Sequence, residues 1–254
     1  MSQDPKNPVS TTRKTIRIVE ALQELGRARL TDIADEMGMS KSTVHSHLST
    51  LEEGGFVVKE DKEYRLGLRF LELGGFTRSR MDLYKTAEPE LGRLAAETGE
   101  LVNLMTEEYG RGIYLYRAKG ERAVGLNTYA GYRTPLHTTA LGKAIIAHLP
   151  RERVSEIVDR HGLESRTAET VTDREKLFDR LDEIRSRGFA LDDEEYISGV
   201  RCVAAPVLDT DDRAIGSISV SAPTSRLSSE KFEEEVPNLV RSTANVIELN
   251  INYS

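Results

Sequence analysis

The chain has 254 residues, 38% of them apolar and 30% charged, a balance that suits packed cores and excludes a disordered or fibrous class. Its formal net charge of −7 argues against indiscriminate nucleic-acid binding but leaves room for a local basic face. The one cysteine, Cys202, excludes an intramolecular disulfide framework and any multi-thiolate metal centre. No segment reaches the roughly 18 uninterrupted apolar residues of a membrane span, and the polar N-terminus lacks a signal peptide's apolar stretch. The expectation is a cytoplasmic protein with no membrane partner.

Residues 1–12 are polar and include Pro5 and Pro8, which predicts a flexible arm. From Thr15 the pattern turns helical, with Ile18, Leu22 and Leu25 along one face until Gly26. A second short helix is predicted over 31–37, with Gly38 placed for a left-handed cap. Ser40 then caps a third helix over 41–53. Val44, Leu48 and Leu51 form its apolar stripe, and Lys41, Ser42, Thr43, His45, Ser46 and Ser49 lie off it. Phe56, Val57 and Val58, a charged turn, and Tyr64, Arg65 and Leu66 read as a β-hairpin.

Three helices and a hairpin make a winged helix-turn-helix, here assigned to residues 13–67. A recognition helix must offer short polar side chains to enter a major groove about 12 Å wide. Lys41, Ser42 and Thr43 suit phosphate or base-edge contacts, and His45 and Ser46 suit base reading one turn on. Arg65 in the hairpin and Arg13, Lys14 and Arg17 at the start are placed to grip flanking backbone. Up to Leu51 there are seven basic residues against six acidic ones, so the module is not strongly basic. Specific binding to an operator in double-stranded DNA then calls for two copies that sum modest contacts on two half-sites.

Residues 68–82 read as a linker helix weakened at Gly74–Gly75, and residues 83–254 as a second, larger domain. There the pattern predicts a helix over 83–98, strands near 101–107, 113–119 and 124–129, and helices after Thr139 and Arg151. A helix over 173–187, strands near 190, 202–208 and 215–221, and a last helix after Ser228 follow. The fold class is α+β, with a mainly antiparallel sheet.

The runs LTDIADEMGMSKSTVHSHLSTLEEGGFV, PLHTTALGKAIIAHLP, IRSRGFALDDEEYISGVRCVAAPVLD and AIGSISVSAP, in that order, resemble the isocitrate lyase regulator (IclR) family of transcription regulators from Arg13 to about Asn250. The resemblance implies a homodimer or dimer of dimers, and a GAF-like effector domain that takes a small metabolite, an organic acid or sugar-derived catabolite. Members repress or activate. It also implies a pocket formed by the backbone N–H groups of Ala140 and Leu141, where free donors and the helix dipole favour a carboxylate. Asp192, Cys202, Ser219 and Ser221 would complete it.

Blander readings stand beside these. Cys202 suits a small core residue, the run from Asp192 to Glu195 a solvated turn, and Ser219 and Ser221, alternating with Ile218 and Val220, a wet sheet surface. Gly142–Lys143 lacks the rest of a phosphate-binding loop, and His137 has no second ligand at metal spacing, so neither a cofactor nor a metal is expected. Two competing functions are a DNA-binding protein whose second domain only dimerises, and a thiol enzyme using Cys202, His137 and Asp192. Residues 164–172 carry no functional reading.

Overall fold

The computed structural model describes residues 7–253. The chain divides into two compact units between Thr77 and Arg78.

In the first unit helix α1 spans Ser10–Leu25, so residues 10–12, expected in the arm, are helical; residues 1–6 of that arm lie outside the described residues. A three-residue strand β1 (Arg27–Arg29), which the sequence pattern did not reveal, leads into α2 (Leu30–Met37). Gly38 closes α2 in the left-handed region at φ 60°, where a side chain would be strained. Helix α3 (Lys41–Glu53) starts on Ser40, whose hydroxyl accepts the Thr43 backbone N–H at 3.2 Å. Strands β2 (Val57–Glu60) and β3 (Glu63–Leu66) form the hairpin, and β1 pairs with the other edge of β3 to give the order β1-β3-β2. The core comprises Ile18, Leu22, Ile33, Val44, Leu48, Val57 and Tyr64.

Helix α4 (Arg69–Ser79) runs unbroken through Gly74 and Gly75 and buries none of its residues; Leu71 and Phe76 are exposed. The predicted linker over 68–82 ends in a short break before α5 (Asp82–Thr98).

The second unit is built on a six-stranded antiparallel sheet, β4 (Leu101–Glu108), β5 (Arg111–Lys119), β6 (Arg133–Pro135), β7 (Ala190–Asp193), β8 (Val200–Leu208) and β9 (Ala214–Pro223), in the order β6-β5-β4-β9-β8-β7. Helices α5 and α9 (Val236–Asn252) cover one face against Val102, Leu104, Val203, Ala205, Ile218 and Val220. Helices α6 (Ala140–Ile146), α7 (Arg151–His161) and α8 (Arg174–Arg187) form the other layer, around Met105, Tyr114 and Ala204. Because side chains alternate along a strand, Ser217, Ser219 and Ser221 face the α6 side while Ile218 and Val220 face α5 and α9. Both faces are covered, so the serines are buried and the wet-surface reading of Ser219 and Ser221 fails.

Residues 124–129, expected as a strand, are irregular. The guanidinium of Arg117 donates to the carbonyls of Thr128 and Leu126, acceptors that a strand would have spent on a neighbour. Beside it, the edge of β5 is occupied by β6 at residues 111–113 and by the Gly131 N–H, which donates to Tyr114 O at 2.7 Å.

Gly142 holds α6 against the preceding turn: an added Cβ would meet Leu136 O at 2.1 Å and Leu136 Cα at 2.5 Å. Those are backbone atoms that no rotamer change relieves. Gly142→Ala is therefore expected to cost at least about 1–3 kcal/mol, read as a lowered urea midpoint for the second unit, whereas Gly74→Ala, whose Cβ meets nothing within 4 Å, keeps the wild-type midpoint or raises it.

Candidate functional site

Two constellations emerge, one in each unit. In the first, the cap and apolar stripe of α3 fix which side chains remain outside. Lys41, Ser42, His45, Ser46 and Ser49 are exposed, as are Arg13, Lys14 and Arg17 on α1. Thr43 is half-buried and its hydroxyl lies 2.9 Å from Ser40 Oγ, so it serves the cap. The Ser46 hydroxyl donates back to Ser42 O at 3.1 Å, a bond it can exchange for an outside partner. Arg65 is held within the hairpin: its Nε donates to Glu60 Oε1 at 3.0 Å, and Arg27 pairs with the same carboxylate at 2.9 Å. The bond from Arg65 is the main force holding the Glu60 carboxyl below its ordinary range. The sequence pattern missed His47, whose Nδ1 lies 2.8 Å from Thr15 Oγ1 and ties α3 to α1.

In the second unit a small cavity of about 10 Å3, room for roughly one water, lies between the sheet and the start of α6, far below the roughly 300–1,000 Å3 usual for ligand cavities. Its lining includes all six residues expected for the effector: Ala140, Leu141, Asp192, Cys202, Ser219 and Ser221. The register explains why they meet. Asp192 pairs with Cys202 and Cys202 with Ser221, so one row crosses β7, β8 and β9 on the same face; Ser219 and Asn103 form the next row. Thr139 caps α6, its hydroxyl accepting the Gly142 N–H at 3.0 Å. Ala140 and Leu141 are then the first helical residues, whose N–H groups have no acceptor within the helix.

Charge in this region is concentrated on three groups. Lys143 of α6 is fully buried and paired with Glu195, itself buried, in the turn after β7. Burial pushes the Lys143 ammonium down, opposed by Glu195 and Asp192. Asp192 Oδ1 accepts the backbone N–H groups of Glu195 at 2.8 Å and Tyr196 at 3.3 Å. Burial nevertheless lifts its carboxyl to about 7, against the lowering pull of Lys143. Burial likewise pushes the Cys202 thiol well up, which leaves it a poor nucleophile.

The thiol-enzyme arrangement is not assembled. His137 Nε2 lies 2.9 Å from Glu164 O, and His137 lines a separate cavity beside α7, away from Cys202. Among the described residues no cluster of His, Cys, Asp or Glu is able to hold a metal ion, and no helix is long and apolar enough to cross a membrane.

Sequence reasoning also missed Asn103, Tyr114, Leu126 and Tyr196 in the lining. Asn103 carried the best available signal, an amide in the apolar run LVNLM, but its position depends on strand register. The segment without a reading has a structural task here: the hydroxyls of Thr167 and Thr170 donate to Glu195 O at 3.2 and 2.6 Å, supporting the turn that carries Glu195.

A winged helix-turn-helix followed by a cavity-bearing α+β unit defines a class of two-domain transcription regulators. Residues 11–61 match the IclR helix-turn-helix domain, and residues 76–249 match the C-terminal domain described as bacterial transcriptional regulator IclR. The chain belongs to the IclR family, and is a DNA-binding transcription regulator rather than an enzyme. It is 34% identical to the HTH-type transcriptional regulator XynR of Escherichia coli K12 over 86% of this chain and 88% of that one. The crystal structure of the Thermotoga maritima IclR is 30% identical, with a TM-score of 0.77 over 96% of this chain and 99% of that one. An IclR homologue from Microbacterium hydrocarbonoxydans, solved with 4-hydroxybenzoate, shares the fold at 24% identity, with a TM-score of 0.81 over 96% of this chain and 100% of that one.

The position of Asp192 gives the stability a definite pH dependence. Its native carboxyl titrates near 7, above the ordinary value of 3.8, so between those values the folded protein holds a proton that the unfolded chain has released. The contribution of this group is fully present below pH 4 and is lost as pH rises through 7. Asp192→Asn is expected to flatten the decline between pH 5 and 8, on the order of a few kcal/mol, in urea melts run at stepped pH; a decline unchanged in the variant would place its origin elsewhere.

Proposed function

We propose that this regulator reads its operator with the exposed face of α3 and is controlled by a small organic acid, or an acid derived from a sugar, bound between α6 and the sheet. The observation that carries the reading is the cavity itself. It brings two helix-start N–H donors together with a polar row that the sheet buries, and it widens from its closed form as the acid enters. The acid's carboxylate meets the N–H groups of Ala140 and Leu141, where the short helix favours an anion. Asp192, Cys202, Ser219 and Ser221 hold its remaining polar atoms. Asp192 accommodates the anion in its protonated form, so the acid binds more weakly as pH rises above 7. The neighbour that binds 4-hydroxybenzoate supports the ligand class.

On the DNA side, His45 and Ser46 read base edges, with Ser42 and Ser49 beside them. Lys41, Arg13, Lys14 and Arg17 hold phosphates, Thr43 positions the helix start, and Arg65 steadies the wing. So few free cations per copy call for two copies on a two-fold operator. The exposed Leu71 and Phe76 of α4 supply apolar surface for a homodimer or dimer of dimers, acting in the cytoplasm on double-stranded DNA. The acid changes the balance between arrangements of the paired DNA-reading units, repressing or releasing transcription.

Fluorescence anisotropy on the DNA upstream of its own gene, over a salt series, tests the DNA half. The wild type is expected to prefer that DNA over unrelated sequence. Ser42→Ala, His45→Ala and Ser46→Ala together are expected to erase the preference while keeping the salt slope, whereas Arg13→Ala reduces the slope by about one. No preference at any salt on a genome-wide set of fragments would refute α3 as the reader.

A thermal-shift screen of small acids tests the other half. An acid at 100 times its Kd is expected to stabilise the wild type by about 2.7 kcal/mol, and Ser221→Val to lose most of that gain. A screen with no stabilising acid would instead favour a second unit that only dimerises.

A further inference from the structure

Asn103 stands in the middle of β4, 2% exposed, between Leu101 and Met105 on the same sheet face, both fully buried and apolar. The residue lines the cavity, opposite Arg117 on β5, whose Nε is likewise buried without a partner among the described residues. Nδ2 donates to Ser219 Oγ and Ser221 Oγ, each at a long 3.4 Å, while the buried Oδ1 has no partner among the described residues. A buried amide with two weak bonds and one orphaned acceptor is a poor way to fill a strand that takes leucine and methionine on either side. Leaving such a group unpaired costs stability, so its presence calls for a partner that arrives from outside.

Building on the acid-binding reading above, we infer that Asn103 is a specificity-determining residue that recognises a hydroxyl group on the effector, so that the cavity selects hydroxylated organic acids over their deoxy counterparts. The chemistry narrows the choice. The two serine hydroxyls can donate or accept, so either orientation of the amide satisfies them and leaves one polar atom of this cavity-lining residue without a partner. As the side chain stands that atom is Oδ1, an acceptor; turned over, it is Nδ2, a donor. A hydroxyl is the small substituent that answers both. A keto oxygen or a second carboxylate answers only the donor, and a methyl group answers neither. Asn103 is also set apart from the helix-start N–H groups of Ala140 and Leu141, being on the sheet rather than on α6, so carboxylate and hydroxyl are read by different elements. The selection is of the kind in which a buried polar group left unpaired penalises the wrong ligand.

The test pairs affinity with the stability of the free protein. Isothermal titration is run with matched acids, 4-hydroxybenzoate with benzoate, lactate with propionate and gluconate with hexanoate, on wild type, Asn103→Leu and Asn103→Ala, and the melting temperature of each ligand-free protein is recorded. At least one hydroxy acid is expected to bind the wild type about 10-fold or more tighter than its deoxy partner, with the gap falling below about 3-fold in both variants. Ligand-free Asn103→Leu is expected to melt at or above the wild-type temperature, because an apolar side chain of the same branching, whose extra volume the adjoining cavity takes up, replaces an unpaired acceptor. Asn103→Ala adds no volume and repeats the affinity comparison if leucine disturbs the fold. Acids that bind without a hydroxyl preference, or a preference that survives in both variants, overturn the role of Asn103 and leave the acid-binding cavity standing. A wild type that binds none of the six overturns both readings together.

Discussion

The buried pair of Lys143 and Glu195 fixes the geometry on which the second unit's site depends. Lys143 lies on α6, four residues past its cap, and Glu195 lies in the turn after β7, so the pair ties the helix carrying the proposed carboxylate donors to the strand carrying Asp192. The Glu195 backbone N–H in turn holds Asp192 Oδ1, and the Thr167 and Thr170 hydroxyls hold the Glu195 carbonyl. Taking two charges out of water costs several kcal/mol each, and removing either partner would leave the other buried with only a weaker counter-charge, Arg180 at 4.0 Å for Glu195 and Asp192 for Lys143. An arrangement of this kind contributes less to stability than to a defined position, here that of the cavity wall.

A second constraint is that the sheet is covered on both faces. On the α5 and α9 side the alternation is satisfied by aliphatic packing, Val102, Val203, Ile218 and Val220 among others. On the α6 side the same strands present Asn103, Cys202, Ser219 and Ser221. Buried polar side chains are tolerated when they are bonded, and these are bonded only loosely to one another, which leaves capacity for a ligand. Asp192, with its carboxyl near 7, adds a group able to give or accept a hydrogen bond around neutrality. The site therefore offers polar groups and no activated nucleophile, as suits the proposed sensing rather than turnover.

Much of this was legible in the sequence, for identifiable reasons. The Val44, Leu48 and Leu51 stripe, the Ser40 cap and the Gly38 turn are local signals, and α3 has the predicted bounds of Lys41–Glu53. Ser219 and Ser221 two apart on a strand fixed their common direction, but whether that face was wet or covered depended on α6, which local pattern does not report. The strand β1 has three residues and gives too short a pattern to register. Residues 124–129 have the alternation of a strand, yet Arg117 takes their carbonyls and β6 takes the edge they would have paired with. Arg65 looked available for phosphate because Glu60, five residues earlier, becomes its partner only when the hairpin closes. Asn103 needed the β4–β9 register before its amide could be placed beside two serines.

In the proposed function one cavity, between α6 and the sheet, receives the acid that controls DNA reading. The most direct measurement is a crystal structure of the protein with an acid chosen because it shifts operator affinity. Density for that acid is expected in the cavity, its carboxylate on the N–H groups of Ala140 and Leu141 and its far end toward Ser219 and Ser221. An acid that shifts operator affinity but sits elsewhere, for instance in the outer cleft lined by Arg180 and Arg201, with the inner cavity unchanged, would contradict it.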